Sequence, residues 1–135
     1  MSVDVGTALV AHCRADSTLI GATCIGAAAR ILPQPTAGGP YPELSIIPLG
    51  TSDGRGSPYH MVRFTVKAVT RSVTFAAHAR LFALFHDKAG YYVATGTPTL
   101  YCVQSMRAGL TGPDKYEDNG PWETVAEYEF QIPGA

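Results

Sequence analysis

Apolar and polar residues alternate most cleanly from His60 to Thr70, where Val62, Phe64, Val66 and Ala68 interleave with Arg63, Thr65, Lys67 and Val69. A period of two predicts a strand with one buried face and one mostly wet face. The same period returns from Trp122 to Ile132. There Thr124, Ala126, Tyr128, Phe130 and Ile132 face one way, and Glu123, Val125, Glu127, Glu129 and Gln131 the other. Between these strands the period lengthens. Ser72 is a candidate N-cap for a helix to about Asp87, and Phe75, Ala79, Phe82 and Phe85 or His86 form a stripe at helical spacing. Ala76, Ala83 and Leu84 broaden that stripe, and Gly90 follows as a stop signal. Phe75, Phe82 and Phe85 are therefore expected to pack against Val62, Phe64, Val66, Tyr128 and Phe130.

Residues Val5 to Ile20 read as a first amphipathic helix, with Ala8, Leu9, His12 and Leu19 near one face and Asp16 ending it or capping a further turn. Ile20 to Ile31 is ambiguous in type. Pro33, Pro35, Gly38, Gly39, Pro40 and Pro42 then enforce an extended connector. Tyr41 to Leu49, with prolines near both ends, suits an edge strand. Gly50 to Pro58 reads as a flexible loop, Tyr91 to Val93 and Thr99 to Met106 as short strands, and Arg107 to Pro121 as a long loop. The expected architecture is α+β: one domain over residues 1–135, a mostly antiparallel sheet of about four to five strands packed against two helices.

The size supports that reading. A chain of 135 residues with 46% hydrophobic and 16% charged residues buries an adequate core without staples. Cys13, Cys24 and Cys102 are odd in number and scattered, which argues against a disulfide framework and for a reducing cytoplasm as the site of synthesis. The start Met1-Ser-Val-Asp lacks a basic n-region, and no apolar run approaches the ~20 residues of a membrane span, so neither export nor membrane insertion is expected.

The sequence carries few signs of chemistry. His12 and Cys13 are adjacent on a helix, and His78 and His86 are two turns apart, so neither pair chelates an ion alone. No HExxH, CxxC or GxSxG spacing occurs. Cys24 is the least implausible nucleophile, although its small-residue surroundings favour packing. Gly50 to Gly56 and Gly109 to Gly120 lack the context of a phosphate cradle, and Glu127 and Glu129 fit a solvated or cross-strand-paired face. No cofactor, no metal and no catalytic residue is expected.

Charge is distributed more tellingly than its total. Ten basic and eleven acidic residues leave a net charge of −1, which excludes a binder that depends on phosphate neutralisation. Yet Arg55, Arg63, Lys67, Arg71, Arg80 and Lys88 face only Asp87 in their stretch, while Asp114, Glu117, Asp118, Glu123, Glu127 and Glu129 share theirs with Lys115 alone. Two explanations stand: Arg63 and Lys67 pair with Glu127 and Glu129 within the sheet, or the halves complement each other between subunits.

A family resemblance is carried by segment order. A helix containing Ala8-Leu-Val-Ala-His-Cys-Arg-Ala-Asp-Ser-Thr-Leu-Ile20 leads into Arg30-Ile-Leu-Pro-Gln-Pro-Thr-Ala-Gly-Gly-Pro-Tyr-Pro42. Then come an edge strand from Glu43 to Pro48, a Gly-rich loop, the strand Val62-Arg-Phe-Thr-Val-Lys-Ala68, a helix from Ser72 to Asp87, and a strand pair ending in Glu127-Tyr-Glu-Phe-Gln-Ile132. Over nearly its whole length the chain resembles the tail-terminator (tail-completion, or tail-to-head joining) proteins of long-tailed bacteriophages. The resemblance implies a virion structural protein rather than an enzyme, made in the host cytoplasm and residing at the tail and neck. It implies a homo-oligomeric ring, a hexamer, that caps the tail tube at its head-proximal end, meets the tail tube protein and the head-neck connector or stopper protein, and lets genome DNA pass without sequence-specific binding. A sister head-completion protein shares this pattern, and a small cytoplasmic enzyme or ligand-binding domain with a pocket between sheet and Phe-rich helix is the alternative from another class. For the assembly interface the expected residues are Leu110, Tyr116, Trp122 and Arg55, on or beside the two loops; the alternative for Trp122 is that it simply starts the last strand and packs in the core. Long loops without structure of their own are usually functional or disordered, and aromatic anchors dominate interface energetics. The second loop is expected to order only on assembly.

Overall fold

The computed structural model describes residues 4–36, 38–52, 59–93, 100–115 and 118–133. Among these, two α-helices, α1 (Val5–Arg14) and α2 (Arg71–Phe85), accompany six strands: β1 (Ile31–Leu32), β2 (Glu43–Ser52), β3 (Tyr59–Ala68), β4 (Lys88–Val93), β5 (Leu100–Lys115) and β6 (Trp122–Gln131). The strands form one sheet in the order β1-β2-β3-β6-β5-β4. The β1–β2 pair is parallel and every other neighbour antiparallel. The expected four to five strands are thus replaced by a six-stranded, mixed sheet, curled into a half-barrel. Helix α1 touches β1 and β2 near one edge and β4 at the other, as a sheet curled around its helices requires.

Helix α1 starts where Asp4 accepts hydrogen bonds from the Gly6 N–H (2.9 Å) and the Thr7 hydroxyl (2.7 Å), satisfying an orphan donor of the first turn. It ends at Arg14, six residues before the expected limit. Asp16 stops it: its carboxylate accepts from Leu19 N (2.9 Å) and is gripped by Arg80 from α2. The chain then runs through tight turns that bury Leu19, Cys24 and Ile25.

Strand β2 is not an edge. Ile31 and Leu32 add alongside Leu44 and Ser45. Pro48 is tolerated because it lies beyond the reach of β1 and beside a register shift between Pro48 and Gly50. Strand β5 departs most from expectation, since its second half occupies part of the expected loop from Arg107 to Pro121. Its ladder-breaking residues, Gly109, Gly112 and Pro113, are accommodated by register shifts between Arg107 and Gly109 and between Thr111 and Asp114. At Gly112 φ is +101°, and a Cβ there would lie 2.6 Å from the Glu123 carbonyl oxygen, so the close crossing onto β6 needs glycine. The expected loop from Gly50 to Pro58 falls largely on residues 53–58, outside the described residues.

The rotation of α2 corrects the expected core. Thr74, Ala77, His78, Leu81 and Phe85 face the sheet, whereas Phe75 and Phe82 are 51% and 37% exposed. Apolar residues surround this helix, so periodicity alone does not choose a face. Tertiary contacts choose it. The Phe85 ring sits 5.7, 6.1 and 5.2 Å from those of Phe64, Tyr128 and Phe130. His78 Nε2 donates to the Thr124 carbonyl at 3.0 Å. The N-cap is Thr70 rather than Ser72, without a side-chain capping bond. Past Phe85 the chain turns at Asp87 (φ +49°), three residues before the glycine expected to stop it. Ser105 Oγ donates to the freed Phe85 carbonyl (2.6 Å), tying the helix end to β5.

Candidate assembly interface

The sheet has two unlike faces. The helix-covered face holds Leu44, Ile46, Phe64, Val66, Ala126, Tyr128 and Phe130, all fully buried. The space between α2 and the sheet, where a pocket is the alternative expectation, is filled by Leu81 and Phe85 against these rings. Burial pushes the His78 imidazole down to about 4, against the pull of its bond to Thr124, with Arg107 repelling the charged form further. Burial also pushes the Tyr128 phenol up to about 12. Cys13, Cys24 and Cys102 are buried, and loss of solvation raises each thiol above its ordinary value, Cys24 included, which keeps them protonated at neutral pH. No cluster of three or more metal-ligating side chains occurs among the described residues.

Beside that core, α2 turns a second apolar stripe to solvent. Phe75, Ala79 and Phe82 lie along it, and His86 stacks on Phe82 at 4.1 Å. Each ring on this side carries a cation. The Arg107 guanidinium is 4.5 Å from the Phe82 centroid, Arg71 lies 6.0 Å from Phe75 and 5.3 Å from Trp122, and Lys115 lies 5.6 Å from Trp122. Exposed contacts of this kind contribute ~0.5–1 kcal/mol each and leave the positive charge unneutralised. Helix α2 itself contains no Asp or Glu.

The outer face is polar. Arg63 Nη2 meets Glu127 Oε2 at 3.0 Å, one of the two in-sheet pairs expected from the sequence. The other is differently composed, because Lys67 stands opposite Glu123 whereas Glu129 stands opposite Met61 and Met106. A shallow cleft of about 430 Å³ crosses this face, floored by Ser45, Thr65, Val125 and the Arg63–Glu127 pair and walled by Pro35 and Thr111. Pro35 belongs to the proline-rich connector, held down where Thr36 donates from N–H and hydroxyl to the buried Glu43.

Of the residues expected at the interface, two are placed on the helix side. Leu110 is 44% exposed on β5 opposite Ala126, and Trp122 is half-buried at the start of β6 opposite Ala68 and Lys115. Tyr116 and Arg55 lie outside the described residues. The expectation missed Phe75, Phe82, Arg71 and Arg107 as surface groups. The available signal was a helix with two apolar stripes and no acid, more apolar surface than one sheet covers. No helix among the described residues is long and apolar enough to cross a membrane. No protein-family model and no curated protein matches this chain.

Proposed function

We propose that this protein is a tail terminator: a virion structural protein that forms a ring on the head-proximal end of a phage tail tube, ends its polymerisation and joins it to the head-neck connector. The segment order described above supports the reading. The observation that carries it is the solvent-facing stripe of Phe75 and Phe82 under unneutralised arginines, a surface chemistry suited to docking protein rather than turning over a small molecule. A protein of net charge −1 also suits a channel through which DNA slides without adhering.

The test is genetic. A nonsense mutation in the gene, in the phage or prophage that carries it, should yield filled heads and unjoined tails of irregular length by electron microscopy. Supplying the protein in trans should restore joined particles. Normal-length tails joined to heads in the mutant would refute the proposal.

A further inference from the structure

We infer that the aromatic-cationic stripe of α2 docks head to tail onto the outer sheet face of a second copy of this chain. The inference rests on the ring reading above and names the contact that would build the ring.

Charge selects the partner. Among the described residues the ion pairs are Arg63–Glu127 and Arg80–Asp16, so Arg71, Arg107 and Lys115 rest on aromatic rings without a carboxylate. On the far side of the same sheet, acids exceed bases. Asp114 of β5 stands directly opposite Glu123 of β6, a cross-strand like-charge pair that costs stability unless a cation comes between. Lys67 flanks Glu123 from β3 and leaves one carboxylate of that pair over. Glu129 adds another, flanked by Met61 and the exposed Met106, soft side chains that receive an aromatic ring well. The outer face thus offers both groups the stripe lacks: carboxylates for Arg71 and Arg107, and an apolar seat for Phe75 and Phe82.

Position selects the symmetry. The two patches lie on opposite faces of one curled sheet, so a single contact leaves one patch of each kind open on the pair. Such a contact repeats, and it closes into a ring when the rotation permits. Single-stranded nucleic acid, the other partner for rings interleaved with cations, is disfavoured: the chain as a whole is slightly acidic, with a net charge of −1.

The experiment is charge reversal read by native mass spectrometry up to millimolar protein, with circular dichroism confirming that each variant is folded. Wild type should form a closed oligomer. Arg71→Glu with Arg107→Glu, and separately Glu123→Lys with Glu129→Lys, should each weaken it at least about 100-fold, as opposed like charges do. Mixing the two variants should restore an alternating oligomer. Phe75→Ser with Phe82→Ser should weaken it without rescue by either charge variant. A wild-type oligomer that survives both charge variants overturns this contact and leaves the ring reading standing. Wild type that stays monomeric throughout overturns this contact, and if it also forms no ring with tail tube protein the ring reading falls with it. A fluorescent oligothymidine bound by wild type and lost in the Arg71/Arg107 variant, without self-association, reassigns the stripe to nucleic acid and overturns the inference.

Discussion

Replacing Phe85 by Ala removes a fully buried ring that contacts Phe64, Tyr128, Phe130 and His12. Lost transfer energy and the residual cavity together should cost about 3–5 kcal/mol. Phe75→Ala, on the same helix but 51% exposed, should cost less than about 1 kcal/mol. Helix propensity cannot create so large a contrast, because exchanging Phe for Ala in a helix interior is worth at most about 0.7 kcal/mol. The assay is equilibrium urea unfolding followed by Trp122 fluorescence and far-UV circular dichroism. With a slope of about 2 kcal/mol/M, Phe85→Ala should lower the midpoint by about 2 M and Phe75→Ala by less than about 0.5 M. If the loss is too severe to measure, Phe85→Leu, which keeps much of the volume, provides a milder step. Equal midpoint shifts for Phe75→Ala and Phe85→Ala, or a larger one for Phe75, would refute the helix rotation and with it the exposed stripe.

Acid should expose His78. Its folded value near 4 against 6.5 means that the unfolded chain binds the proton first, so stability is complete above pH ~6.5 and falls by about 3 kcal/mol as pH drops to ~4. Urea midpoints across that range should decline in the wild type and flatten in His78→Gln, whereas a flat wild-type profile contradicts the buried neutral ring. Asp16→Ala should cost about 2 kcal/mol, because it strips Arg80 and Leu19 N of a charged acceptor. The Arg80 guanidinium holds the Asp16 carboxyl below its ordinary range, so this contribution is present above that range and lost as pH falls through the lowered value. Cys13, Cys24 and Cys102 should resist a thiol reagent in the native protein and react together on unfolding. Fast labelling of any one of them in the native state would contradict its burial.

Strands β3 and β6 were legible because one face of each is apolar and the other charged, and pairing Arg63 with Glu127 places them side by side. The remainder was obscured for specific physical reasons. Strand β1 is two residues long and exists only because β2 lies beside it, so no periodicity announces it. In β5, Gly109, Gly112 and Pro113 read locally as loop, yet two bulges accommodate them, and pairing with β6 outweighs their propensity. For α2 the ends were legible to within two residues but the rotation was not. Phe75-Ala79-Phe82 and Thr74-His78-Leu81-Phe85 are both acceptable stripes, and only the second fits the rings of Phe64 and Phe130. The candidate interface followed that error. Loop and aromatic signals point to Leu110 and Trp122, of which Leu110 is exposed and Trp122 half-buried, while Phe75 and Phe82, expected in the core, are the most exposed aromatic groups of α2.

Assembly into a ring with an open channel is tested by electron microscopy of the purified protein at high concentration. Class averages should show rotational symmetry, six-fold as the resemblance implies, around a stain-filled hole. Native mass should give the same subunit count. A compact monomer with no symmetric particles at any concentration, alone or mixed with tail tube protein, would contradict it.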